Sequence, residues 1–502
     1  MAFFIFEAMK KLIFGWLFLL GPLLSQAAKV YEFNSVCQQA YHEITRLKIA
    51  NGQALIAKAK QQNPDNLIPV LLESYIDFFV LFLNEDPAEY KIRKPHFDER
   101  IAQLKEGPAS SPFYLFCLSE AHMQRAATAI KFGDMWNGAW EFRKAWQMIK
   151  DNKKAFPTFT PNDLLYGSIQ AALGTIPKGY KWIANIFGFK GSVTEGMKTI
   201  RGFVYSSDPW ARMMNVEGSF VYCYLQFYIE NKKDETIQFI QYRKLDVVNN
   251  HLLAYMAANL SKNNKQVEYA KSIILNKNNS PEYLATPVWD FEMGFDRMYH
   301  LELPEAIRHF ERYVSNFKGT YYVKDVYQKL SWCYLLEGNM QAAQNARNAI
   351  LKKGAINADA DKQALKEAKS GTWPDPFLLR VRLLSDGGYN REALQLINTK
   401  SIGEIKEQDR LEYIYRLGRI YDDLNNDEQA IHYYQSAIQL GEHSTEYYAA
   451  RAALQTGMIY EHRGDRARAI SYYQKCLNME DHDYKNSLDQ RAKSGIARCK
   501  GE

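Results

Sequence analysis

Residues 410–440 read RLEYIYRLGRIYDDLNNDEQAIHYYQSAIQL, and residues 449–479 read AARAALQTGMIYEHRGDRARAISYYQKCLNM. Set one above the other, Leu417-Gly418, Tyr421, Ala430, Tyr434 and Ala437 fall on Thr456-Gly457, Tyr460, Ala469, Tyr473 and Cys476, at a constant offset of 39 residues. Each stretch reads as a helix, a short polar turn (Asn425-Asn426-Asp427; Arg463-Gly464-Asp465) and a second helix that begins Ala-Ile-x-Tyr-Tyr-Gln. The small residues have a packing reason. Gly418 and Gly457 on one helix, and Ala430 and Ala469 on the other, fall where the two helices of a hairpin cross, and a longer side chain there would hold the axes apart.

This pattern resembles the tetratricopeptide repeat (TPR), a helical hairpin with Leu-Gly, Tyr, Ala, aromatic and Ala at fixed positions and a period near 34 residues. The same frame carried towards the N-terminus gives Met293-Gly294 with Ala306, Phe310 and Tyr313, and Leu330-Ser331 with Tyr334 and Ala343. Arg347 stands where that second unit should have an aromatic. Val381 with Ala393 follows an insertion around 354–372, and Ala258 with Ala270 forms a degenerate unit before the others. Gly495 opens a lone helix that is expected to cap the array. The resemblance implies an all-α fold: a superhelix of helical hairpins over 241–502, with the first helix of each unit lining the concave face.

Residues 28–155 also read as helical. Apolar spacings of three and four recur through 67–83 and 112–149, broken at Asn63-Pro64-Asp65, Glu85-Asp86-Pro87 and Gly107-Pro108. No alternating β-branched run announces a sheet. Within the middle segment, 156–240, the passage around Pro177, Tyr180-Lys181-Trp182, Gly188-Phe189-Lys190-Gly191 and Glu195-Gly196 is rich in glycine and aromatics. It resembles the inclusion-body-clearance family of outer-membrane and cytosolic TPR proteins, in which a GFxG turn follows a helix ending in Leu-Pro. Met197 takes that family's usual Leu position. The resemblance implies an adaptor and carries over no active site. The same passage holds Gly191 to Gly196 followed by Met197-Lys198-Thr199, one residue out of register with a phosphate-binding GxxxxGK[ST] loop. No predicted strand precedes it, so nucleotide binding is not expected.

The chain has 502 residues and a net charge of +6, with no run of five like charges, which argues against nucleic acid as a partner. Hydrophobic residues make up 47% and charged residues 24%, which excludes general disorder. Residues 1–27 read as a signal peptide: Lys10 and Lys11, an apolar run from Leu12 to Leu24, then Ser25-Gln26-Ala27 at the cleavage site. Met9 gives a cleaner start than Met1. The run is shorter than the roughly 20 residues of a membrane span, so the mature chain is expected without a transmembrane segment, in the periplasm or at the outer-membrane periphery if bacterial. The six cysteines, at 37, 117, 223, 333, 476 and 499, show no metal or haem spacing and are expected as buried thiols.

No HExxH, GxSxG or dense carboxylate cluster appears, so no catalytic residue, metal or cofactor is expected. A partner is expected in the concave groove. Its lining positions in the repeat frame include Phe291 and Phe295, then Trp332, Tyr415, Arg419 and Met458. Aromatics and arginines on a concave surface are the usual anchors of a protein interface. The expected function is an exported, non-enzymatic scaffold for protein–protein interaction. The alternative is a ligand-binding accessory protein that takes a glycan or lipid during nutrient uptake. A deep closed pocket would favour the alternative, an open aromatic groove the scaffold.

Overall fold

The computed structural model describes residues 28–174 and 191–500, so the expected signal peptide and most of the glycine-rich passage lie outside the described residues. Among the described residues every regular element is helical, apart from a single isolated bridge between Val30 and Asn66. The repeat frame falls on helical hairpins throughout. They are His251–Asn263 with Val267–Asn276, Val288–Tyr299 with Leu303–Asn316, Val323–Leu336 with Met340–Lys352, and Pro376–Gly387 with Asn390–Ile397. Arg410–Asp423 with Asp427–Leu440 and Tyr448–His462 with Arg466–Asn478 complete the series, and Lys485–Lys500 closes it as a single helix. The insertion is itself a helix, Asp359–Ser370, packed on Val323–Leu336.

Local chemistry explains the hairpin ends. Asn339, Asn426 and Asp465 each cap a second helix by accepting a backbone N–H of its first turn, the arrangement that satisfies otherwise orphaned amides. Asn425 and Gly464 reverse the chain with positive φ, 58° and 77°. At the crossing point Ala270, Ala306, Ala343, Ala393, Ala430 and Ala469 are all fully buried.

The same hairpin plan extends to the N-terminus: Ser35–Thr45 with Ile49–Gln62, Ile68–Asn84 with Pro87–Leu104, and Pro112–Lys131 with Met135–Ala155. The turn signals at 63–65, 85–86 and 107–108 lie between helices, and Pro87 is the first residue of the next helix. One continuous core runs from Cys37 to Met293, a second from Phe295 to Leu383 and a third from Leu378 to Cys499. All six cysteines are buried free thiols. Lys198 and Thr199 lie on the helix Val193–Val204, where Gly196 packs against the Ala171 backbone. No helix among the described residues is long and apolar enough to cross a membrane.

The N-terminal hairpins are tied to the repeats by specific bonds. Glu85 is buried; one carboxylate oxygen accepts the amides of Thr320 (2.6 Å) and Tyr321 (3.1 Å), and the other pairs with Lys131 at 2.8 Å. The Leu284 amide donates to the Leu47 carbonyl at 2.8 Å. Within the repeats, Lys265 pairs with Asp423, and the Tyr389 hydroxyl donates to Glu268 at 2.6 Å. The Glu85 contacts bring Lys131, Tyr321 and Tyr322 to one shared space.

Candidate functional site

That space contains a cavity of about 840 Å³. Its wall is built from five parts of the chain. Phe82 and Lys131 come from the N-terminal hairpins, Phe220, Tyr224 and Tyr228 from the helix Asn215–Tyr228, and Tyr255, Asn259 and Lys262 from the helix His251–Asn263. Val288, Phe291, Phe295 and Tyr299 line it from the next repeat, and Tyr313, Tyr322, Asp325 and Lys329 complete it. The aromatic rings fall into two contacting groups. Phe291 lies 4.9 Å from Phe295, 5.3 Å from Tyr313 and 5.7 Å from Tyr322, centroid to centroid. Tyr224 stacks on Tyr228 at 6.2 Å. Phe82, Tyr228 and Tyr322 are 40%, 55% and 43% exposed, so rings stand at the mouth of the cavity.

Behind the rings, Asn259 and Lys262 of the lining meet a buried polar group. Lys262, itself buried, pairs with Glu292 at 2.5 Å and lies over the faces of Phe295 (4.7 Å) and Phe291 (5.0 Å). Asn259 donates to the other Glu292 oxygen at 2.9 Å. One helical turn on, Asp296 is fully buried and neither of its oxygens has a hydrogen-bond partner among the described residues. Burial pushes its carboxyl well above the ordinary range, against the opposing pull of Lys262. Burial likewise raises the hydroxyls of Tyr224, Tyr255, Tyr299 and Tyr313, and that of Tyr228 to about 12, so the tyrosines are neutral hydrogen-bonding rings. Neutral rings, a ring-stacked ammonium and a mouth open to solvent suit the capture of apolar or aromatic groups. No group of three metal-ligating side chains occurs among the described residues.

The residues expected to line the groove divide. Phe291 and Phe295 both line this cavity. Trp332 does not: the inserted helix covers it, its indole N–H donates to Glu367 at 2.7 Å, and it is 2% exposed. Its ring is nonetheless flanked by Lys329 at 4.1 Å, which lines the cavity, and by Arg382 at 4.9 Å. Tyr415 is buried in an aromatic group with Tyr447 and Tyr448. Arg419 and Met458 are half-buried on the first helices of the last two repeats. The residues that sequence reasoning missed, above all Phe220, Tyr224, Tyr228 and Tyr255, belong to helices outside the clear repeats. The four-residue spacing 220, 224, 228 was the signal that could have placed them on one face.

Two family models described as tetratricopeptide repeat match the chain, one over residues 411–441 and the other over 452–484. No curated protein matches it in sequence. Among solved structures, a monomeric mutant of IFIT1 with Gppp-AAAA is similar over 90% of this chain and 92% of that chain, at 12% identity and a TM-score of 0.35. The human IFIT1 dimer with m7Gppp-AAAA aligns over 89% and 90%, at 12% identity and 0.34. The APC/C hetero-tetramer Cut9-Hcn1 aligns over 92% and 95%, at 11% identity and 0.28.

Proposed function

We propose that this chain is an exported, non-enzymatic scaffold that holds an apolar segment of a partner protein in its concave aromatic cavity. Tetratricopeptide repeats are an interaction fold, and two of them stand at 411–441 and 452–484. The observation that carries the reading is the ring-lined cavity with exposed Tyr228 and Tyr322 at its mouth. The resemblance of the middle segment to the inclusion-body-clearance family supports an adaptor role. Export rests on the reading of residues 1–27, and N-terminal sequencing of the mature protein from fractionated cells should find Ala28 first.

The test is crosslinking in intact cells with a tagged full-length chain, followed by identification of what co-purifies. One dominant protein partner, lost when Tyr228→Ala and Phe291→Ala are combined, is the expected result. Capture that is indifferent to both substitutions would sink the cavity as the binding site. The second reading, a glycan- or lipid-binding accessory protein, is favoured by the volume of about 840 Å³, within the range of small-molecule sites. Native mass spectrometry of protein purified from its own cells would then show a retained ligand, which the double variant would release.

A further inference from the structure

Where a tyrosine ties helices together in this chain, its hydroxyl has an acceptor. Tyr41 donates to Glu217 at 2.7 Å, Tyr434 to Asp422 at 2.8 Å and Tyr473 to Glu461 at 2.5 Å. In the aromatic cavity that pattern breaks. Tyr224, Tyr255, Tyr299, Tyr313 and Tyr322 all line it, and none of their hydroxyls hydrogen-bonds to a described residue. None of the five oxygens is sealed inside the protein either. Four of the rings come from four different helices and Tyr322 immediately precedes a fifth, so no single repeat accounts for the gathering. Burial holds all five phenols above their ordinary value, so each keeps a proton to donate.

The charges of the wall are already matched. Lys131 pairs with Glu85 at 2.8 Å, Lys262 with Glu292 at 2.5 Å and Lys329 with Asp325 at 2.9 Å, and these are the lysines of the lining. An ionic occupant would shed its water and find no free counter-charge. A hydrocarbon chain fits no better. It would strip water from five hydroxyls and leave each without a partner, which costs as much as a broken hydrogen bond. The complementary occupant is therefore uncharged, apolar on its sides and rich in hydrogen-bond acceptors.

We propose that the cavity takes a proline-rich segment of the partner polypeptide in the polyproline II conformation. Such a chain makes no internal hydrogen bonds and leaves its carbonyls free, so the phenol O–H groups gain acceptors. Proline has no N–H to strand against a wall of donors, and its ring offers an apolar face to Phe291, Phe295 and Tyr228, which line the same cavity. A helix would bring carbonyls already engaged within itself. The preset dihedrals of proline also lower the cost of ordering the segment on binding, and aromatic-lined grooves are a recurring seat for such chains. The inference rests on the scaffold reading given above, and it adds the composition and conformation of the partner's segment.

The test measures binding of a fluorescent decaproline peptide to the full chain, with a Gly-Ser repeat peptide of the same length and maltoheptaose as comparisons. Decaproline should bind, the flexible Gly-Ser peptide should bind at least about tenfold more weakly, and added salt should leave the complex unchanged because neither side contributes a free charge. Tyr255→Phe, Tyr299→Phe and Tyr322→Phe combined should weaken decaproline binding about tenfold or more, the scale of a few lost neutral hydrogen bonds. Thermal melting of that triple variant should match the unaltered chain, since none of the three hydroxyls bonds within the fold. Equal binding of the Gly-Ser peptide would overturn the inference. So would unchanged decaproline affinity in the folded triple variant, or tighter maltoheptaose binding that the same substitutions abolish. Absence of decaproline binding, with partner capture in cells still dependent on Tyr228 and Phe291, would remove the polyproline assignment alone. Decaproline binding that the triple variant weakens, with capture indifferent to Tyr228 and Phe291, would remove the scaffold reading alone.

Discussion

Three repeats of this chain carry glycine at the crossing position and three do not, and the partner sixteen residues later explains the difference. Gly294 faces Phe310, Gly418 faces Tyr434 and Gly457 faces Tyr473; a Cβ built on each would lie 2.5, 2.6 and 2.7 Å from the ring. In the other repeats the facing residues are Ile274, Arg347 and Ile397, and the crossing positions are Ala258, Ser331 and Val381. Ile274 and Ile397 are slimmer than a ring and leave room for a side chain. Arg347 turns out of the seam altogether, its guanidinium 3.4 Å from the Trp373 ring and bonded to the Thr372 carbonyl. A second pairing follows the first. Where the ring is tyrosine, the crossing helix has an acid four residues after the glycine: Asp422 accepts from Tyr434 and Glu461 from Tyr473. Where it is phenylalanine, that residue is Met298, fully buried. The glycine is therefore a consequence of the ring, not a requirement of the hairpin.

The largest expected effect comes from removing a ring. Phe310→Ala leaves a void beneath Gly294 and should cost about 3–5 kcal/mol in urea unfolding, with loss of the cavity wall that Phe295 makes against Phe310. Adding bulk to the glycine is expected to matter less. Gly418→Val should cost about 1–3 kcal/mol by overpacking against Tyr434, and Tyr434→Ile in the same chain should recover part of that loss by restoring the Ile397-type seam. A double variant less stable than either single one would break the comparison. Tyr473→Phe keeps the ring and removes only the hydroxyl, so about 1 kcal/mol is expected.

The pH dependence of that hydroxyl's acceptor can be worked out. Glu461 sits below its usual 4.5 because Arg498 pairs with it at 2.7 Å and Tyr473 donates to it. A carboxyl lowered by folding adds stability in full above pH 4.5 and loses it as pH falls through the lower folded value. Melting temperatures of Glu461→Gln should accordingly lie below the unaltered chain near neutrality and converge with it in acid. Smallest of all, Ser331→Ala should shift stability by under about 1 kcal/mol, since its hydroxyl returns only to the Gln328 carbonyl of its own helix.

Much of the fold was legible because a hairpin is local chemistry. The small residues at 418, 430, 457 and 469, the polar turns at 425–427 and 463–465 and the turn signals at 63–65 and 85–87 act within about forty residues of chain, and each appears in the structure where the pattern put it. The concave site was legible only in part. Phe291 and Phe295 followed from the repeat frame, whereas Trp332 occupies the corresponding groove position and is covered, because the inserted helix 359–370 supplies Glu367 to its indole. No spacing rule connects residue 332 to residue 367 without knowing that the insertion folds back.

What the sequence by itself determined is the hairpin and its repetition, since the ring, the small residue opposite it and the polar turn between them belong to one short stretch. What only the tertiary structure decided is the working surface. Glu85 clasps the amides of Thr320 and Tyr321, and the helix 215–228 brings Tyr224 and Tyr228 into one cavity with Phe291. Those juxtapositions depend on how the 25 α-helices of the described residues stack one on the next, a sum over many hairpins to which no local pattern gives access.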